Sequence, residues 1–257
     1  MVANEHAVYA TQPRPLRQQI EEHLRAARPE PIDGEIFAVI VPDANLRSGA
    51  EVSAAVYKLL QGRTYDTVLL IAPSHSGSFR RITICSLDTY QTPLGAVPVD
   101  DRVRHELCDE DDDIFLDDVG HFHTEGIDVQ LPYLQATLAS FSAVPIVMGD
   151  ESPVFCRELG QAVGEVSFNR RTLVVASADV LEADAEALEA FRTYFEAADV
   201  ERLMTLFNSE RMRVEGKGGI VTALLAAQHR HVPHARLIAL DAPEGGRPGR
   251  IGAVLWR

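Results

Sequence analysis

The chain has 257 residues, of which 46% are hydrophobic and 24% are charged, and its formal net charge is −14 with histidine counted as neutral. This negative charge argues against unaided binding to nucleic acid or to an anionic membrane surface, because both carry negative charge themselves. No apolar stretch approaches the roughly 18 residues that a membrane span needs, and residues 1–13 lack the apolar core of a signal peptide, so we expect a soluble, cytoplasmic protein.

Short apolar runs alternate with helical patterns along most of the chain. The runs cover residues 36–41, 68–72, 143–148, 173–176, 237–240 and 251–255, and the helical patterns cover 15–28, 49–60, 129–138, 154–166, 183–197 and 218–228. Runs of this length, bounded by Pro, Gly or Asp, are typical of strands that are buried on both faces. The alternation predicts an α/β fold with a mostly parallel central sheet and helices on both of its faces.

The region from about residue 80 to 119 departs from this alternation. It contains a Pro93-Leu94-Gly95 turn and an acidic run over 109–118. The run lacks the spacing, the central Gly and the terminal Glu of a calcium-binding EF-hand loop, which favours a solvated acidic loop. We interpret the region as an excursion within a single domain that spans residues 1–257.

The three cysteines are Cys85, Cys108 and Cys156. Their odd number and wide spacing, with no C-x-x-C pair, argue against a disulfide framework and against a zinc ribbon. We expect three small thiols, buried or half-buried, in a reducing compartment.

Polar residues follow three of the predicted strands. Asp43 follows the first run, His75 follows the second, and Asp179 and Glu182 follow the fourth. Ligands of doubly wound sheets bind beyond the carboxyl ends of the strands, so these four side chains are expected at one rim. A histidine with carboxylates suits iron(II), manganese or zinc, and it also suits acid–base chemistry with a carboxylate orienting the imidazole. Each residue also has a purely structural interpretation as a helix cap or a turn former.

Other candidate motifs carry less information. His121 and His123 flank Phe122, so alternation could point both imidazoles towards the same site, although a solvated loop is the favoured interpretation. The chain has no G-x-S-x-G, G-x-G-x-x-G or Walker A pattern, so a serine nucleophile elbow and a nucleotide site have no support.

Seven stretches resemble, in order, motifs of the Memo family. Residues 9–24 resemble the family's opening segment, 42–49 (PDANLRSG) its P-H-A-G-Y-x-Y-S-G loop, 72–75 (APSH) its G-P-S-H, 90–95 (YQTPLG) its Y-x-T-P-L-G, 124–133 (TEGIDVQLPY) its E-H-S-I-E-x-Q-L-P-(F/Y), 177–179 (SAD) the start of its S-S-D-x-x-H, and 215–220 (EGKGGI) its C-G-x-x-P-I. The match at 90–95 is the most specific. Together the stretches span nearly the whole chain.

The resemblance implies a fold similar to that of the class III extradiol dioxygenases, which are non-haem iron enzymes that cleave catechol rings. The family's metal-site positions correspond to Asp43, His75 and Glu215, and a nearby family histidine corresponds to Glu182. Only His75 keeps the family residue. The implied site therefore has one histidine and two carboxylates, with Asp179 and Glu182 as acid–base or supporting groups. Loss of the thiolate favours harder divalent ions, and iron(II) or manganese is the expected metal.

Two functions remain open at this point. The first is a Memo-like protein that binds a divalent metal and has redox or oxygenase-type activity. The second is a non-catalytic binding module whose metal site has degenerated. The family histidine of E-H-S-I-E is Glu125 here, and Glu182 replaces the acid–base histidine, which argues against ring cleavage. The resemblance also implies AMMECR-type or radical SAM proteins as protein partners, without nucleic acid or membrane.

Overall fold

The structure is a computed structural model that describes residues 12–44, 46, 48–77, 79–108, 113–121 and 125–257. The predictions made for residues 9–11, Asn45, Arg47, 109–112 and 122–124 lie outside the described residues, as does the side chain of Glu125.

The described residues form helices and strands in alternation. In chain order they are α1 (Pro13–Ala26), β1 (Ile36–Val41), α2 (Ala50–Lys58), β2 (Thr67–Pro73), β3 (Ile82–Ile84), β4 (Thr89–Thr92), β5 (Gly95–Pro98), α3 (Asp101–Leu107), β6 (Ile114–Leu116), α4 (Glu125–Asp128), α5 (Gln130–Thr137), β7 (Ser142–Met148), α6 (Pro153–Val166), β8 (Thr172–Ser177), β9 (Asp179–Ala183), α7 (Ala185–Glu196), α8 (Val200–Phe207), β10 (Met212–Glu215), α9 (Lys217–His229), β11 (His234–Leu240) and β12 (Gly249–Trp256).

The main sheet has a parallel centre and antiparallel flanks. Strands β1, β8, β2 and β7 pair in parallel in that order. On one side β12 runs antiparallel to β1 and leads to β9 and β10, and on the other side β3 runs antiparallel to β7 and carries β6. The predicted α/β fold with a central sheet and helices is confirmed. The sheet is parallel across its four central strands, and the outer strands β3 and β6 also pair in parallel with each other.

The central strands are largely apolar because both faces of the sheet are covered. Every residue of β1, β2 and β8 is buried. Ile40 points into the cluster under α6 and α9, whereas Val39 and Val41 point into the cluster under α1, α2 and α5. Side chains of alternate strand residues lie on opposite faces, so one short run fills two cores.

Strand β11 does not fit the prediction of a strand buried on both faces. Leu237 is its only buried residue, and the other residues are half-buried or exposed. In the described structure β11 pairs with β12 alone, so it forms an edge that branches from the main sheet. An edge strand has fewer neighbours to cover its side chains, which explains the exposure.

Part of the predicted excursion belongs to the main sheet, since β3 and β6 extend it beyond β7. The remainder includes the β4–β5 hairpin, which turns at Pro93-Leu94 and docks on the neighbouring helices. The Tyr90 hydroxyl donates to Asp128 Oδ1 at 2.6 Å, and the Thr92 hydroxyl donates to Gln135 Oε1 at 2.6 Å. The Y-x-T-P-L-G motif therefore attaches a hairpin to α4 and α5.

The cysteines have the predicted form. All three are free, with Cys85 and Cys156 buried and Cys108 half-buried. Burial raises the pKa of each thiol, to about 12 for Cys156, which favours the protonated thiol over the thiolate. Among the described helices, none is both long enough and apolar enough to cross a bilayer.

Candidate functional site

Three side chains meet at one edge of the sheet. Asp43 follows β1, His75 follows β2, and Glu215 is the last residue of β10. Strands β1 and β2 are parallel and both flank β8, so their carboxyl ends reach the same edge. Glu215 arrives there through β10, where it lies opposite Asp179 of β9.

The donor atoms of Asp43, His75 and Glu215 all lie within 4.8 Å of one another. His75 Nε2 is 2.8 Å from Asp43 Oδ2 and 3.9 Å from Glu215 Oε1. The Asp43 side chain is 0% exposed, and that of Glu215 is 38% exposed. The group thus runs from a buried carboxylate through the imidazole to a carboxylate at the surface of a cleft.

Asp43 is closely surrounded on the side away from His75. A Cβ atom added to Gly126 would clash with Asp43 Oδ1 and would lie 2.5 Å from Ser177 Oγ. Neither Asp43 Oδ1 nor Ser177 Oγ has a hydrogen-bond partner among the described residues. The absence of a side chain at Gly126 is therefore a condition for the observed position of the Asp43 carboxylate.

A buried glutamine holds the loop that carries Asp43. The Gln130 side chain is inaccessible to solvent; its Nε2 donates to Pro42 O at 3.0 Å, and its Oε1 accepts from the Tyr57 hydroxyl at 2.9 Å. The Tyr57 ring stacks on Tyr133 with centroids 4.9 Å apart. This role of Gln130 was not predicted, although an amide within the apolar pattern of a helix is a signal for it.

Asp179 lies behind the group of three donors rather than in it. It is buried, its Oδ2 forms an ion pair with Arg250, and its Oδ1 has no partner among the described residues. Burial raises the pKa of Asp179 to about 7, against the lowering effect of the Arg250 guanidinium, and the Asp43 carboxylate raises it further. This buried carboxyl is therefore only partly ionised near neutral pH.

The structure does not bring Glu182 to the group. Its side chain is 65% exposed and pairs with Arg213 Nη1 at 2.8 Å. Residues 179–182 were predicted to lie in one loop, but they belong to strand β9, with Glu182 opposite Arg213 of β10. Three residues of extended chain span about 10 Å, so Asp179 and Glu182 cannot serve the same small site.

His121 has a structural role that the preference for a solvated loop did not anticipate. It is buried, and its Nε2 must donate to Thr83 O, 3.2 Å away, because a carbonyl oxygen only accepts. Burial lowers its pKa, so it is neutral at physiological pH.

Within the described part of the acidic run, Asp117 pairs with Arg81 at 2.5 Å and Asp118 accepts hydrogen bonds from Ser86. These aspartates stabilise the chain locally.

The group opens into a cleft of about 760 Å³ that is also lined by Glu151 and Lys217. Glu151 Oε1 accepts the N–H of Gly218 at 2.9 Å. Burial raises the pKa of Glu151 to about 7; the Gly218 N–H and Lys217 lower it, and Asp43 and Glu215 raise it. Glu151 closely follows β7, so the expectation that site residues follow strands would have found it if it had been applied to the run at 143–148.

The donor set and its electrostatics suit a divalent cation. Bonds from such a metal to a carboxylate oxygen or imidazole nitrogen are about 2.1 Å long, which places two ligand atoms about 3 Å apart at right angles and about 4.2 Å apart when opposed. The two distances from His75 Nε2 fall at or near this range. Carboxylates crowded into a partly buried site also need a cation or protons to offset their repulsion.

Comparisons with known proteins agree with this architecture. The family model described as Memo-like protein matches residues 3–242. A MEMO1 family protein of Nitrosopumilus maritimus is 26% identical over 200 residues, covering 76% of this chain and 73% of the relative, and one of Methanopyrus kandleri is 32% identical over 186 residues, covering 66% and 64%. The crystal structure of an uncharacterized Escherichia coli K12 protein is similar in fold, with a TM-score of 0.54 at 16% identity, covering 87% of this chain and all of that chain. The family match extends over nearly the whole sequence, and this chain belongs to the Memo-like protein family.

Proposed function

We propose that this protein binds a divalent metal ion through Asp43 Oδ2, His75 Nε2 and Glu215 Oε1. The observation that carries the proposal is that one donor atom from each of these side chains lies within 4.8 Å of the other two at the carboxyl edge of the sheet. Two oxygen donors and one imidazole suit iron(II) or manganese, the ions that the substituted family positions also favour.

The surroundings fit redox or oxygenase-type chemistry on a small molecule. Three protein ligands leave coordination positions open on the cleft side, and an iron(II) or manganese ion would supply binding and activation of a ligand there. Asp43 and Glu215 supply negative charge that offsets the charge of the ion. Glu151, whose pKa is about 7, can hold or release a proton within the same cleft.

A thermal shift assay tests metal binding directly. A ligand that binds only the folded state raises the apparent stability, so manganese(II), or iron(II) without oxygen, is expected to raise the Tm of the wild-type protein. The His75→Ala variant should lose this shift. The matched control is His105→Ala, because His105 is exposed on α3 and pairs with Asp101 there. Equal shifts in all three proteins, or no shift at millimolar metal, would contradict the proposal.

A binding module without catalysis is the second candidate. It is favoured by the outward position of Glu182, which leaves the family's acid–base histidine position without a group in the site. On this proposal the protein would act through a protein partner of the AMMECR or radical SAM type. A catalytically silent protein that binds such a partner equally well with and without metal would support this candidate over the first.

A further inference from the structure

Lys217 places a positive charge in the cleft. It is the first residue of α9 and lines the same cleft as His75 and Glu215. It is one of two lysines in the chain, and the other is Lys58. The remaining 22 of the 24 basic residues are arginines. Among the described residues, no carboxylate lies within 4.0 Å of its ammonium group.

The position of Lys217 is not explained by helix stability. A cation in the first turn opposes the helix dipole, which favours negative charge at that end. The nearby acidic groups already have backbone donors, since Glu151 accepts from Gly218 N and Asp150 accepts from Ser152 N. The positive charge of Lys217 lowers the pKa of Glu151, which lines the same cleft, so the charge acts on the cleft.

The charge of a bound metal would decide whether the cleft can bind an anion. Without a cation, Asp43 and Glu215 would repel an anion from the cleft. A divalent ion bound by both carboxylates would offset their two charges. Asp150 and Glu151 also line the cleft and accept hydrogen bonds from backbone N–H groups, so among the described lining residues Lys217 is the side chain with a permanent positive charge that an anion beside the open metal positions could contact.

We infer that the cleft binds a small oxyanion, a carboxylate or phosphate group, whose charge is recognised by Lys217 while the rest of the ligand faces the metal group. The inference rests on the proposed metal site. An ammonium is a compact point charge that pairs with either type of oxyanion.

The inference is tested on the full-length protein loaded with manganese(II), by titration with benzoate, phenyl phosphate and the neutral isostere benzamide. The variants are Lys217→Met, which keeps the length of the side chain, and Lys58→Met, which removes the other lysine at the end of α2. Metal content is measured on every sample. We expect benzoate or phenyl phosphate to bind the wild-type and Lys58→Met proteins, to bind Lys217→Met at least about tenfold more weakly, and to outcompete benzamide.

The outcomes separate the two claims. Retained metal with weakened anion binding in Lys217→Met supports the inference, and the stronger of the two anions identifies the type of oxyanion. Retained metal with equal anion affinity in both variants, or equal affinity for benzoate and benzamide, would overturn the inference and leave the metal site intact. Absence of metal from every sample would contradict the proposed function and the inference together.

Discussion

His75 Nε2 lies 2.8 Å from Asp43 Oδ2, and this contact joins the ends of two strands that are separated in the sheet by β8. In the absence of a metal it is a hydrogen bond between an imidazole and a buried carboxylate. On the proposed function, the same two atoms would be neighbouring ligands of the cation. The fold would then hold these two ligands close together before the metal binds.

The Asp43→Asn variant is expected to fold and to lose metal. The amide oxygen can still accept a hydrogen bond from His75, but it removes the buried negative charge that offsets a cation. We expect manganese(II) affinity to fall by about 100-fold or more, since even supporting groups around a metal contribute about 10- to 100-fold. A competition titration against a metal indicator measures this. Asp117→Asn is the control, because Asp117 pairs with Arg81 elsewhere; equal affinity in the two variants would exclude Asp43 as a ligand.

Gln130→Leu should damage both stability and the site. The change leaves Pro42 O and the Tyr57 hydroxyl buried without their partner, which predicts a loss of about 2 kcal/mol or more in the free energy of unfolding. The loop carrying Asp43 would also lose its anchor, so metal affinity should fall. Urea unfolding and metal titration measure the two effects. The exposed Gln61→Leu should change neither, and an unaffected Gln130→Leu would rule out the anchoring role.

Gly126→Ala should displace the Asp43 carboxylate. The added methyl group would clash with Asp43 Oδ1 and crowd Ser177 Oγ. We expect weaker manganese(II) binding at unchanged overall fold, as judged by circular dichroism. Gly219→Ala is a useful comparison, because its methyl group would lie 3.1 Å from Ala176 Cβ and crowd only apolar neighbours. If Gly219→Ala weakened metal binding as much as Gly126→Ala, general strain would be the better explanation.

The pH dependence of stability should reveal Glu151. Its pKa rises from 4.5 to about 7 on folding, so between these pH values the folded state keeps a proton that the unfolded chain releases. Stability from this group therefore falls as the pH rises through that window. In the metal-free protein, raising the pH from 5 to 8 should lower the Tm of wild type more than that of Glu151→Gln, which keeps an acceptor for Gly218. Parallel Tm profiles would contradict the raised pKa.

Much of the fold was predictable because the central strands are continuous apolar runs. The run at 36–41 coincides with β1, and the runs at 68–72 and 143–148 lie within β2 and β7. Strands β9 and β10 were missed because they are short and partly exposed, so their composition resembles that of loops. The antiparallel direction of β12 was also missed, since an apolar run does not encode its direction.

Part of the candidate site was predictable from the sequence. Asp43 and His75 could be found because each directly follows a buried parallel strand, and Glu215 was identified through the family resemblance. Glu182 was assigned to the rim because β9 was taken for a loop. Glu151 was missed because the expectation that site residues follow strands was not applied to the run at 143–148, although Glu151 lies just beyond the end of β7.

The central claim is best tested by elemental analysis of protein purified without oxygen and without chelator, alongside the Glu215→Ala variant. The account predicts near-stoichiometric iron or manganese in the wild-type protein and its loss from the variant, with both proteins folded. Wild-type protein that contains no metal, and that takes up neither iron(II) nor manganese(II) on reconstitution, would contradict the account. Asp43, His75 and Glu215 would then form a site that no longer binds metal, and partner binding would become the leading function.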